Sequence, residues 1–217
     1  MAYYDDRAHE YDRVYQKPER QADLALIKPW LQTQAKGKRI LEIGCGTGYW
    51  TQVMAETAAS VQATDLSAEM LTIAQHKSYY MPIQWQEADY YQLDHLDQYD
   101  LIFAGFVWSH IPREKGSSFL ASLSSHLAPQ GQLILLDNRY VEGSNTPLSR
   151  TDAEGNTYQQ RHLQDGRTYE VMKNFPTEEE LTQLHQPFSR NITYISWTYF
   201  WGLSASKTES PDSLPDG

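Results

Sequence analysis

The chain has 217 residues, enough for one domain with a substantial interior. Its formal net charge of −10, from 28 acidic and 18 basic side chains, argues against nucleic acid as a partner, because phosphate binding needs clustered Lys and Arg. A single cysteine, Cys45, excludes an intramolecular disulfide.

No run approaches the roughly 18 apolar residues of a membrane span, and the opening Met-Ala-Tyr-Tyr-Asp-Asp carries no signal region. No membrane partner is expected, and a cytoplasmic location is the default. Along the chain, Tyr4, Tyr11 and Tyr15 share one face of a helix over residues 3–15. Pro18 opens a second helix that turns Ala22, Leu26, Ile27, Trp30 and Leu31 inward and kinks or ends near Pro29.

Regular alternation follows. Strands are expected near residues 39–43, 60–64, 83–87, 99–103 and 131–137. Helices are expected near 49–58, 67–77 and 115–127, with Ser67 as an N-cap. That order implies an α/β doubly wound sheet with right-handed crossovers and helices on both faces. Residues 138–176 are too long for a plain connection and hold two β-like runs, Thr157–Leu163 and Arg167–Met172, around a hairpin-like Gln164-Asp165-Gly166 turn. Thr177 caps a helix near 177–186, and strands near 190–195 and 197–203 are joined so tightly that they should be antiparallel. Residues 204–217, rich in Ser, Pro and Asp, read as a solvated tail, leaving residues 1–203 as one domain.

The chemistry concentrates in Leu41-Glu42-Ile43-Gly44-Cys45-Gly46-Thr47-Gly48, between the first expected strand and the helix at Tyr49. Glycines at a strand-to-helix turn let a ligand approach the backbone, where N–H groups and the helix dipole favour an anionic group. The next strand ends in Asp65, 21 residues after Gly44, an offset that suits a carboxylate on the hydroxyls of a ribose. A nucleoside-type ligand is implied. The G-x-G-x-G spacing departs from the nicotinamide fingerprint G-x-G-x-x-G, which argues against an oxidoreductase.

With Glu42 two residues ahead, the E-x-G-x-G-x-G run resembles the first motif of class I S-adenosylmethionine-dependent methyltransferases. The similarity continues through Asp65-Leu66-Ser67, Met70-Leu71, Glu87-Ala88-Asp89 and Leu127-Ala128-Pro129-Gln130-Gly131, and covers roughly residues 39–137. Tyr3-Tyr4-Asp5 and Glu10-Tyr11-Asp12 look like the small-molecule branch of that family. The resemblance implies a Rossmann-like seven-stranded sheet, mostly parallel with an antiparallel last strand. It also implies S-adenosyl-L-methionine as donor, and residues 1–35 and 138–176 as caps over a small-molecule acceptor.

On this basis Glu42, Gly44, Cys45, Gly46, Asp65, Leu66, Met70, Asp89, Tyr90 and Phe106 are expected around the donor. Asp65 would hold the ribose, Leu66 and Met70 flank adenine, and Asp89 with Tyr90 meet its amino edge. Cys45 reads as a small filler of the loop and not as a nucleophile. Tyr11 would close over the donor, and His110, after the fourth strand, could accept a proton. Tyr4 and Trp108 are candidates for an aromatic box, and Asn138, Arg139 and Tyr140 for acceptor contacts. Asp137-Asn138 resembles part of the Mg²⁺ corner of catechol-type enzymes. Ala104-Gly105 stands where those need a further carboxylate, so no metal is expected. An amine nitrogen is the favoured acceptor, given the acidic chain and its tyrosines, with a hydroxyl or carboxylate oxygen as the alternative. A non-catalytic donor-binding protein is the remote alternative.

Overall fold

The computed structural model describes residues 8–93, 96–163 and 165–208. A 3₁₀ segment over Ala8–Tyr15 leads into helix α1 (Gln21–Ala35). The alternating part follows as β1 (Arg39–Ile43), α2 (Tyr49–Ala55), β2 (Ser60–Asp65), α3 (Ala68–Gln75), β3 (Gln84–Glu87), β4 (Tyr99–Gly105), α4 (Gly116–Ser125) and β5 (Leu127–Asn138). An insertion then contributes β6 (Arg150–Thr151), β7 (Thr157–His162) and β8 (Thr168–Met172). The chain closes with α5 (Glu178–His185), β9 (Ser189–Ser196) and β10 (Phe200–Lys207).

Successive strand residues point to opposite faces, so an unbroken apolar run needs cover on both. Ile40, Leu101, Phe103, Ile134 and Leu136 pack on one face against Leu24, Ile27 and Leu31 of α1 and Trp50, Val53 and Met54 of α2. Their neighbours Leu41, Ile102, Ala104, Leu133 and Leu135 pack on the other against Phe119, Leu120 and Leu123 of α4 and Leu181 of α5. The sheet order is β3-β2-β1-β4-β5-β10-β9. β10 is antiparallel to both β5 and β9, and the β3-to-β5 part is parallel throughout. The direction of winding therefore reverses between β1 and β4, and the crevice beyond their carboxyl ends is where such sheets bind ligands. The antiparallel β6-β7-β8 sheet stands apart from the main one.

Several expectations need correction. The segment before Tyr15 is 3₁₀ and not α over its described part, and Tyr4 lies outside the described residues. α1 runs through Pro29 to Ala35. Ala25 and Pro29 both lie on its exposed side, where solvent can serve the carbonyl that proline leaves unpaired. The buried stripe of α1 is Leu24, Ile27, Leu31 and Ala35, so Ala22 and Leu26 face outward. The last strand continues to Lys207, so residues 204–207 belong to the sheet and not to a tail. Ser67 does cap α3, its Oγ accepting the Met70 N–H at 3.2 Å, and Thr177 with Glu180 forms a reciprocal capping box on α5.

Candidate active site

At the carboxyl end of β1 the chain turns through Gly44 and Gly46, both at positive φ (65° and 54°). A Cβ at Gly44 would stand 2.6 Å from Val107 Cγ2, so only glycine lets β1 and the loop after β4 approach this closely. Asp65, at the end of β2, clamps the loop: its Oδ2 accepts the Gly46 N–H at 2.7 Å and its Oδ1 the Ser67 N–H at 2.9 Å. Beneath the loop, Glu42 is buried and accepts the Thr51 hydroxyl at 2.5 Å. Burial, opposed by that bond and reinforced by the charge of Asp65, pushes the Glu42 carboxyl up to about 8.

A cavity of about 260 Å³ opens here. Gly44, Gly46, Asp65, Leu66, Met70, Tyr90 and Phe106 line it, as do Tyr11 and His110. Its remaining walls include Ala88, Gly105 and Val107, which were not among the residues expected around the donor. Glu42 and Cys45 are not on the wall: Glu42 lies under the loop, and the buried Cys45 fills it. Burial pushes the Cys45 thiol well up, as suits a filler. Asp89 also lies outside the lining, its Oδ1 accepting the Tyr91 N–H at 2.9 Å. An apolar slot with two glycines at its floor and one carboxylate at its rim fits an adenosyl group with an aminoacid tail. Leu66 and Met70 would flank the base, Asp65 would meet the ribose hydroxyls, and the loop amides the carboxylate.

Phe106 adopts φ 63°, a left-handed conformation that costs a residue with a Cβ about 1–3 kcal/mol, and its N–H is fixed by Leu136 O at 2.7 Å. The strain places its ring between the donor cavity and a second one of about 120 Å³. Tyr11, Phe106 and His110 line both. The 3₁₀ segment carrying Tyr11 is tied down by Asp12, which accepts the Thr47 hydroxyl and pairs with Lys77 at 2.6 Å. Tyr15 anchors it in the core, stacked on Tyr49 at 3.8 Å between centroids.

The second cavity is cationic, a property the sequence did not disclose. Lys17, Arg20, Arg161 and Lys173 all line it. Arg20 is 7 % exposed, donates to Asn138 Oδ1 at 3.0 Å and packs over Phe200, yet its buried Nε has no partner. Arg161, on β7, is held by Gln159 Oε1 at 2.5 Å, and its Nε is likewise buried without a partner. Lys173, just after β8, reaches Ser109 Oγ at 2.5 Å and Asp137 Oδ1 at 3.1 Å. Burial pushes Lys173 down. It also pushes Asp137 up, but the Lys173 charge, with His110 and backbone amides, holds Asp137 below its ordinary value. These basic residues stand far apart in the sequence, and no local pattern marks them.

His110 donates through Nδ1 to Met172 O at 2.7 Å. Burial first, and then the Lys173 charge, push it down to about 3, so the imidazole is neutral at physiological pH. Asn138 lines the cationic cavity, whereas Arg139, Tyr140 and Trp108 do not. Arg139 is spent on Trp197 O at 2.6 Å, and Tyr140 packs edge-on to Phe175. Trp108 faces away, against Phe119 and His185. Among the described residues, no group of three or more His, Cys, Asp or Glu side chains is gathered as a metal ion would require, and no helix is long and apolar enough to cross a membrane.

Comparison with known proteins agrees with this geometry. Residues 40–131 match the methyltransferase domain family. The chain is 33% identical over 135 residues to a malonyl-[acyl-carrier protein] O-methyltransferase of Anoxybacillus flavithermus, covering 60% of this chain and 49% of that protein. It is 29% identical over 103 residues to a ubiquinone biosynthesis O-methyltransferase of Aeromonas salmonicida, covering 46% and 42%. The chain thus spans about half the length, or less, of the curated relatives it matches. Among solved structures, a DhpI–SAH complex superposes with a TM-score of 0.77 at 26% identity, covering 95% of this chain and 94% of that one. A DhpI–SAM–HEP complex does so with a TM-score of 0.78, also at 26% identity, covering 94% of each chain. Fold, donor cavity and these likenesses support a class I S-adenosylmethionine-dependent methyltransferase. The two DhpI complexes carry SAH and SAM by name, which supports S-adenosylmethionine as the methyl donor.

Proposed function

We propose that the protein methylates an oxygen of a small acidic molecule. One observation carries this reading: the cavity that shares Tyr11, Phe106 and His110 with the donor site is lined by four cationic side chains, and two of their buried Nε atoms lack partners. Leaving a buried donor of a charged group unsatisfied costs about 1–3 kcal/mol or more, a cost that an anionic ligand removes. A protonated amine would meet repulsion there. The acidic composition favoured an amine, but net charge summed over the chain does not describe the lining of one cavity.

The donor, when bound, supplies a methyl group already activated on sulfur. An ionised acid presents an oxygen lone pair without help from a base, which suits a neutral His110 whose Nδ1 is committed to Met172. His110 and Phe106 are then positioning walls, and Tyr11 closes the site against water. The names of two relatives, both O-methyltransferases, point the same way.

The test is a panel of amines, phenols and acids incubated with labelled donor, with products identified by mass spectrometry. Acids are expected to be methylated on oxygen. Turnover of amines with none of the acids would overturn the reading.

A further inference from the structure

The acceptor site counts charge, and the count follows from which cations already have a counter-ion. Lys173 is neutralised by Asp137 at 3.1 Å, and Lys17 faces Glu19 at 3.9 Å. Asp23, in the first turn of α1, is outside the lining, pairs with no cation within 4 Å among the described residues and accepts the Tyr199 N–H at 2.7 Å, and His110 is neutral. Arg20 and Arg161 remain: among the described residues, neither guanidinium has a carboxylate within ion-pair distance, and each lines the cavity with a partnerless buried Nε nearby. The net lining charge is therefore two positive.

The two guanidiniums arrive on different elements, Arg20 at the head of α1 and Arg161 on β7 of the insertion. The same small cavity also carries Tyr11, Phe106 and His110, which it shares with the donor cavity, so we take these as its doorway to the donor. One oxygen for each guanidinium and one at the doorway make three. A carboxylate has two oxygens and one charge. A phosphoryl-type head has three oxygens and, above its second pKa, close to two charges.

We propose that the site selects a doubly charged, three-oxygen oxyanion head of the phosphoryl type and methylates it once. This rests on the acidic-acceptor reading given above. In the step, a lone pair of one head oxygen forms the O–CH₃ bond, the C–S bond breaks with its electrons returning to sulfur, and no proton moves. The head passes from two negative charges to one. One guanidinium is then left uncompensated, which favours release of the singly charged methylated product and disfavours a second transfer.

The test is calorimetric titration of the whole protein, loaded with S-adenosylhomocysteine, with methyl phosphate, dimethyl phosphate and acetate. Methyl phosphate is expected to bind at least about tenfold more tightly than either monoanion, the scale of one charge-assisted hydrogen bond. Its affinity should fall roughly tenfold between about pH 7 and pH 5, as the head takes up a proton near its second pKa of about 6. His110, pushed down to about 3, is silent in that window. Arg161→Gln, on the part-exposed insertion, should abolish the preference while leaving S-adenosylhomocysteine binding intact. With methyl phosphate and labelled donor, mass spectrometry should find dimethyl phosphate and no trimethyl ester. Equal affinity for the three probes, binding of none, or a preference that survives Arg161→Gln would overturn the proposal. If acetate binds best and is methylated, the acid reading stands and the charge count falls; if only amines are turned over, both fall.

Discussion

Asp65 has two tasks, holding the Gly46 and Ser67 amides and presenting a carboxylate to the donor cavity. Asp65→Ala is expected to weaken S-adenosylhomocysteine by about 1.5–3 kcal/mol in calorimetry, the range for loss of a hydrogen bond to a charged group. Glu42 behaves differently because it is buried beneath the same loop. Its carboxyl, raised to about 8, keeps a proton in the folded state that the unfolded chain releases above about pH 4.3. Stability should therefore fall as pH rises from about 4 to 8, by a few kcal/mol at roughly 1.4 kcal/mol per unit. Glu42→Gln should flatten that window in urea denaturation, and an unchanged slope would show that Glu42 is ionised throughout. For His110, a value near 3 leaves no titration between pH 5 and 8. The rate profile of an acid acceptor should show no inflection that His110→Ala removes, and the substitution should cost less than about tenfold, well below the 10²–10⁴ of a lost general base.

At the scale of elements, the N-terminal segment and the insertion bring their charges to the sheet from distant parts of the chain. The segment is clasped by Asp12, through Thr47 in the glycine loop and Lys77 beyond α3. That pair is partly exposed, so the clasp is worth about 1 kcal/mol. Asp12→Ala should raise the dissociation rate of S-adenosylhomocysteine severalfold, measured by stopped-flow, while Tyr15 keeps the segment folded in the core. An unchanged rate would mean that the segment does not gate the donor. The insertion does more than cover: β7 and the turn after β8 deliver Arg161 and Lys173, with Gln159 and Ser109 holding each in place.

The whole molecule sets a negative exterior, with a net charge of −10, against a cavity whose lining is positive. An anionic acceptor is repelled at long range and attracted at short range. Salt screens the first more than the second, because the Debye length falls from about 30 Å at 0.01 M to about 8 Å at 0.15 M. The value of kcat/KM for an acid acceptor should therefore rise or hold steady over that range, whereas a cationic acceptor steered by the exterior would lose rate. A steep fall with salt for an acid would contradict the proposed electrostatics.

The parallel sheet, its reversed last strand and the donor loop were legible in the sequence because each rests on local chemistry. Continuous apolar runs such as Leu133–Leu136 need cover on both faces, and Gly44 and Gly46 mark a turn where a Cβ would collide or strain. Asp65 stands at a set distance along the chain from that loop, so its partnership needed no tertiary knowledge. The charge of the second cavity was not legible. Arg20, Arg161 and Lys173 carry no signature in their own neighbourhoods, and Trp108, Arg139 and Tyr140 looked suitable only because they follow the right strands. Whether a basic side chain faces water or a closed cavity depends on which distant segments fold over it. In this protein the sequence determined the glycine loop and its Asp65 clamp, and packing of the N-terminal segment and insertion against the sheet decided the charge of the second cavity.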